Sequence, residues 1–420
     1  MVPSSEILRL GDITSLITKG ATPTTYGHEF VDEENGDASF IGAYNCTFDG
    51  SVKLDTKKWI TKEANESLKR SKLKRGDSIL CIVGNTIGSS FLVDDSILPA
   101  NINQNVALIR PIREKLFPLY LKFAICSSFI QWQVQQEAST QAQPSLSLKQ
   151  VGDFKIFSPP LPEQQKIAKI LSTWDKAIAT TEKLIATSQQ QKKALMQQLL
   201  TGKKRLVNPD TGKLFEGDWE RHSLSDLVHV DKKSLGKKTP DDFEFKYISL
   251  SDVTTGTIAV NLEVHKYATA PSRARRVLQN GDILLSTVRP NLKGFAKISQ
   301  KYADCIASTG FSVLTPKKRV SGDYIYQYIF SSHVTGQIDS LVVGSNYPAI
   351  NSSDVAGLKI YCPTYEEQQK IASVLTAADK EIELLQAKLA HLKDEKKALM
   401  QQLLTGKRRV KVEKQLEIVS

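Results

Sequence analysis

Residues 192–203 read Lys-Lys-Ala-Leu-Met-Gln-Gln-Leu-Leu-Thr-Gly-Lys, and residues 396–407 repeat them letter for letter. Glu163 to Ala168 (EQQKIA) recurs at Glu367 to Ala372 with the same offset of 204 residues and no gap. Between these blocks only scattered positions agree, among them Leu171, Asp175, Lys176 and Ile178 with their counterparts. Weaker echoes run upstream. Pro159 matches Pro363, Pro144 matches Pro348, and Arg75-Gly-Asp-Ser-Ile-Leu resembles Asn280-Gly-Asp-Ile-Leu-Leu. A repeat of this kind means one structural unit used twice. The chain therefore reads A–B–A′–B′, with B nearly fixed and A diverged.

Segment B has the pattern of a long helix. Pro162 suits a first turn, and Glu163 favours the positive end of the helix dipole. Apolar residues then recur in steps of four and three: Ile371, Leu375, Ala378, Ile382, Leu385, Leu389, Leu392, Leu399 and Leu403, interrupted by Lys396. The first copy gives Ile167, Leu171, Trp174, Ile178, Thr181, Ile185, Ser188, Leu195 and Leu199, which is more polar in its middle. A spacing of about 3.5 residues over several heptads predicts a coiled coil, and two copies in register favour pairing with each other over burial on a domain core. Gly202 and Gly406 supply stops, and Lys203-Lys-Arg and Lys407-Arg-Arg fall at the negative end of the dipole.

Segments A and A′ carry short β-rich runs, such as Ser78-Ile-Leu-Cys-Ile-Val and Phe311-Ser-Val-Leu, between Gly, Asn, Thr and Pro clusters. Helices are expected over Pro118 to Gln136 and Asp323 to Leu341. The fold class expected is α/β: recognition-sized domains at 1–158 and 206–362, helices at 159–205 and 363–411, and a tail at 412–420. A chain of 420 residues is too long for one ordinary core.

Composition narrows the function. At 40% hydrophobic and 24% charged residues, with no apolar run of membrane-spanning length, the chain reads as a soluble protein. Met1 to Leu10 lacks the features of a secretory signal. The five scattered cysteines form no Cys-x-x-Cys pair and fit a reducing cytoplasm. The net charge of +11 points to an anionic partner. It is uneven: residues 1–158 hold 17 basic and 17 acidic residues, whereas 159–205 hold 9 and 3. Near-neutral domains rich in polar loops suit base reading better than binding through phosphates alone. Ser158-Pro-Pro-Leu lacks the aromatic residue of an amino-methyltransferase box, and no phosphate-cradling, zinc-hydrolase or nucleophile-elbow motif occurs. No catalytic residue, metal or cofactor is expected.

Pro159-Pro-Leu-Pro-Glu-Gln-Gln-Lys-Ile-Ala with Lys192 to Gly202, and their copies at Pro363 and Lys396, resemble the two conserved regions of type I restriction–modification specificity subunits. The resemblance covers the whole chain. It implies two target recognition domains, each reading half of a bipartite, asymmetric site on double-stranded DNA. It implies two long helices pairing antiparallel as a spacer. It also implies docking of two adenine methyltransferase (M) subunits and of motor-nuclease (R) subunits. The rival readings are a DNA methyltransferase with an unrecognised cofactor site and a coiled-coil adaptor whose A domains bind protein.

Polar loop residues beside Gly or Pro are the candidate DNA contacts, because Asn and Gln suit adenine edges and Arg and Lys suit guanine. In the first domain these are Thr22, Thr24, Tyr26, Tyr44, Asn45, Asn85, Thr86, Asn103, Gln104 and Asn105. In the second they are Lys237, Lys238, Arg289, Asn291, Lys293, Thr309, Ser345, Asn346 and Tyr347. Turn chemistry competes for each, since Asn and Thr also cap backbone groups. Arg289, before Pro290, is the strongest single candidate.

Overall fold

A computed structural model describes residues 6–138, 143–342 and 348–412. The chain divides into two compact units, Met1–Glu182 with Lys388–Ser420, and Lys183–Ala387. Two helices of 39 residues dominate it: α1 (Leu161–Leu199) and α2 (Tyr365–Leu403). Each contributes one stretch to each unit.

The first unit has a four-stranded antiparallel sheet in the order Thr14–Lys19, Val106–Pro111, Ser78–Cys81, Ser90–Leu92. The second repeats it as Val228–Val230, Phe311–Pro316, Ile283–Ser286, Phe295–Lys297. A mixed sheet, three-stranded in the first unit and four-stranded in the second, stands beside each. In the first unit Ala38–Ile41 lies between Lys58–Ile60 and Ala100–Ile102, pairing parallel with the latter. In the second, Glu244–Ile248 pairs parallel with Ile306–Ser308, and Ala274–Val277 adds a further strand. Diverged sequences thus keep one strand order in the four-stranded antiparallel sheet, whose inner strands are buried almost throughout and call for short continuous apolar runs.

The expected helix over Pro118 to Gln136 is two helices, Pro118–Ile125 and Ser128–Glu137. Its counterpart splits in the same place, into Gly322–Ile329 and Ser332–Leu341. The break comes from serine capping: Ser127 Oγ accepts the Ile130 N–H and Ser331 Oγ accepts the Val334 N–H.

The stripe on the long helices does two jobs. At its ends it is domain core. Ile167, Ala168 and Leu171, with Leu403 and Leu404, lie in one cluster with Tyr120, Leu121 and Ala124 of the first unit. Ile371, Ala372 and Leu375, with Leu199 and Leu200, do the same with Tyr324, Ile325 and Tyr328 of the second. Burying each such aliphatic side chain contributes roughly 1.5–3 kcal/mol. Further along, the helices run antiparallel. In the first unit Asp175 meets Lys396 at 2.5 Å and Glu182 meets Lys393 at 2.8 Å. In the second, Asp379 meets Lys192 at 2.5 Å, the same pair under the repeat. The polar Thr181 of the first copy is buried yet satisfied, since its hydroxyl donates to the Ala177 carbonyl at 2.8 Å.

Candidate nucleic-acid interface and the repeated clamp

The repeated EQQ motif seats each helix on its domain. Gln164 is fully buried; its Oε1 accepts the Phe117 N–H at 2.8 Å, and its Nε2 donates to the Lys115 and Pro159 carbonyls. Gln368 likewise accepts the Ser321 N–H and donates to the Pro363 carbonyl. The adjacent glutamate holds an arginine from beyond the end of the other helix copy. Arg409 clasps Glu163 within the first unit, with Nε at 3.0 Å and a terminal nitrogen at 2.7 Å. Arg205 clasps Glu367 within the second, at 2.8 and 2.7 Å. The basic runs were expected to serve the helix dipole; these two arginines instead make bidentate pairs with buried carboxylates. Sequence reasoning missed the clamp, although Glu163/Glu367 and Arg205/Arg409 share the offset of 204.

Packing and pairing account for Lys192, Leu195, Met196, Leu199 and Leu200 of the repeated twelve. They do not account for Lys193, Gln197 and Gln198, or for Lys397, Gln401 and Gln402, which are exposed in both copies and identical.

Three first-domain loops converge. Thr22 donates to Gln104 Oε1 at 2.6 Å, and the Gly20 N–H donates to the Asn103 carbonyl at 3.1 Å. A Cβ on Gly20 would lie 1.6 Å from the Ile102 carbonyl oxygen, so only glycine lets these loops meet. A Cβ on Gly42 would strike both the Tyr44 ring and the Asn103 amide, which puts the third loop at the same place. Tyr26 and Tyr44 stand open to solvent there, and Thr24, Asn85, Thr86 and Gln104 are exposed. Asn105 is half-buried, with its carbonyl accepting the Ile82 N–H.

One expectation needs correction. Asn45 is 0% exposed; its Oδ1 accepts the Gly42 N–H and its Nδ2 donates to the Lys53 carbonyl, so its amide is spent on a turn. This is the turn chemistry that competed with base reading. Asn103 is half-buried and its Oδ1 accepts the Asn105 N–H.

In the second unit Lys237, Lys238, Arg289, Asn291 and Thr309 are exposed, and Lys293 is half-buried. Thr309 precedes Gly310, whose carbonyl accepts the Thr287 N–H, so it stands close to the Arg289 turn. Ser345, Asn346 and Tyr347 lie outside the described residues. Arg289 and Lys293 both have left-handed backbone, with φ of +47° and +51°. For a residue with a Cβ this costs roughly 1–2 kcal/mol each. Leu292 between them, 66% exposed, was not among the candidates. Among the described residues no group of three or more metal-ligating side chains occurs, and no helix is long and apolar enough to cross a membrane.

A duplicated chain of two α/β domains, each braced by the start of one long helix and the end of another, defines a class of two-domain helical scaffold. A family model for the type I restriction modification DNA specificity domain matches residues 4–188 and again 216–394. The chain thus belongs to the type I restriction–modification specificity subunits, the non-catalytic recognition components of their systems. It is similar to the type I restriction enzyme MjaVIII specificity subunit of Methanocaldococcus jannaschii, with 27% identity over 428 residues, 97% of this chain and 93% of the relative. Solved structures share the fold. One, from work on complex assembly and conformational transition of the type I R-M system, superposes with a TM-score of 0.58 at 19% identity, covering 94% of this chain and 96% of that one. The S subunit from M. genitalium gives 0.57 at 12% identity, covering 95% of each.

Proposed function

We propose that this chain reads a bipartite, asymmetric site on double-stranded DNA, one half-site per domain, and docks its catalytic partners through its helices. The observation that carries the reading is the contrast between the two kinds of surface. The exposed face of the repeated helix segment is identical in both copies, Lys193, Gln197 and Gln198 against Lys397, Gln401 and Gln402, although packing does not require it. The exposed loops of the domains differ. One surface used twice suits one kind of partner bound twice, namely two adenine methyltransferase subunits, with motor-nuclease subunits joining that assembly. Two different loop sets suit two different half-sites.

The working division is 1–158 and 206–362 as recognition domains, with 159–205 and 363–411 as the helical segments between and after them. Base contacts are assigned to Thr22, Thr24, Tyr26, Tyr44, Asn85, Thr86, Asn103, Gln104 and Asn105 in the first domain, and to Lys237, Lys238, Arg289, Asn291, Lys293 and Thr309 in the second. The partner flips and methylates the target adenine, while this chain supplies register. The site of action is the cytoplasm, where the DNA lies. Mapping adenine methylation across the source genome with and without the gene tests this. One bipartite motif should lose its methylation on deletion; an unchanged map would refute the proposal.

A further inference from the structure

Val83–Gly88 in the first unit and Val288–Lys293 in the second are the same turn. Each joins the third and fourth strands of the four-stranded antiparallel sheet, whose registers match: Ser78 lies opposite Leu92, and Ile283 opposite Lys297. In each, the residue after the valine donates its N–H to a proline carbonyl, Gly84 to Pro144 at 2.9 Å and Arg289 to Pro348 at 2.7 Å. In each, the turn closes three residues on, Ile87 N–H to Gly84 at 3.1 Å and Leu292 N–H to Arg289 at 3.0 Å.

Both turns need left-handed backbone at the same two positions. The first unit fills them with Gly84 (φ +96°) and Gly88 (φ +90°), for which that region is free of strain. The second fills them with Arg289 and Lys293. Four described non-glycine residues have positive φ, and two of them sit in this one turn. Glycine is the relaxed solution, and the first unit demonstrates that the fold accepts it. The side chains of Arg289 and Lys293 are therefore kept against the backbone's preference, as happens at functional sites. Leu292 strengthens the case. Its counterpart Ile87 packs on the domain core, whereas Leu292 stands in solvent between the two basic residues.

We infer that the 289–293 turn is the principal base-reading element of the second domain. Arg289 reads a guanine edge, Leu292 packs on a neighbouring thymine methyl, and Lys293 meets a backbone phosphate. In the first domain the same backbone presents Asn85 and Thr86 instead, and Asn85 suits adenine. This rests on the proposal that the chain reads DNA in two halves.

The test uses the full chain with its methyltransferase subunits and a pool of duplexes with randomised sequence. The wild-type complex selects its site; Arg289→Gly, Lys293→Gly and Leu292→Ala are then assayed on it. Both glycine variants relieve strain, so their thermal unfolding should match or exceed wild type. Arg289→Gly should weaken binding about 10- to 100-fold and leave one guanine in the second half-site degenerate. Lys293→Gly should weaken all duplexes alike and lower the salt slope by about one. Leu292→Ala should relax preference at the adjacent thymine. The first half-site should be untouched in all three. Unchanged affinity and selection by Arg289→Gly, or loss of folding in the glycine variants, would overturn the inference. Failure of the wild-type complex to select any site would instead defeat the DNA-reading proposal beneath it.

Discussion

Arg205 and Glu367, 162 residues apart in sequence, meet in a two-point hydrogen-bonded ion pair in which the carboxylate is wholly buried. Removing one partner of such a pair leaves the other charge without compensation. Arg205→Ala should lower stability by about 3 kcal/mol in denaturant unfolding. Replacing both residues together, Arg205→Met with Glu367→Leu, should recover most of that loss. An Arg205→Ala chain as stable as wild type would show that the clamp contributes nothing to the fold.

The equivalent Glu163 has its carboxyl held below the ordinary value of 4.5, first by the hydrogen bond from Arg409 and further by the Val410 N–H and the guanidinium charge. A depressed native value means that the stabilisation is complete above the unfolded value and fades as pH falls through the native one. The stability gap between wild type and Glu163→Gln should be constant near neutrality and shrink below about pH 4.5. A gap independent of pH would rule out this origin.

Asp282 behaves in the opposite sense. Burial pushes its carboxyl above the ordinary value of 3.8, against the hydrogen bonds from Thr315 and the Gln279 N–H. The first unit puts Arg110 at the position of Thr315, paired with Asp77 through two contacts of 2.7 Å. A raised native value means that stability present at low pH is lost as pH rises through it. Wild type should therefore lose stability relative to Asp282→Asn as pH climbs from about 4. Parallel pH profiles for the two proteins would contradict this.

Exchanging residues 1–158 for the corresponding domain of a relative should change one half-site and leave the other intact. Methylation mapping reads the result directly. A change in both half-sites would end the modular reading.

Inserting seven residues near Thr187 and Gln190 keeps the helical stripe on one face and adds ~10.5 Å of helix. That length corresponds to roughly three base pairs at ~3.4 Å each. The spacer between half-sites should grow by about one to three pairs, or activity should be lost if DNA cannot follow. Full activity at the original spacing would reduce the helices to docking elements.

The long helices were legible because their period survives in two copies, and even Lys192 and Lys396, which interrupt the stripe, find aspartates on the antiparallel neighbour within each unit. Asn45 was not legible: whether an asparagine serves a turn or a ligand depends on a distant carbonyl, here that of Lys53. The Arg205–Glu367 clamp was hidden by sequence distance, though the offset of 204 carried its trace. The strain at Arg289 and Lys293 was hidden because basic residues give no left-handed signal. Aligning them with Gly84 and Gly88 would have revealed it, but the offset there is 205 rather than 204, and the loops share almost no letters.

The first unit takes part of its core, Leu403 and Leu404, and its clamp arginine, Arg409, from the far end of the chain. The second is built from one continuous stretch, Lys183–Ala387. A ribosome therefore finishes the second unit before the first can close, although it makes most of the first one sooner. At about 5–20 residues per second, the wait for the last 200 or so residues is roughly 10–40 s. During that interval Ile167 and Leu171 lack their final neighbours. The order of birth and the order of completion are reversed, and the nascent chain must keep an unfinished N-terminal domain from aggregating until its last helix emerges.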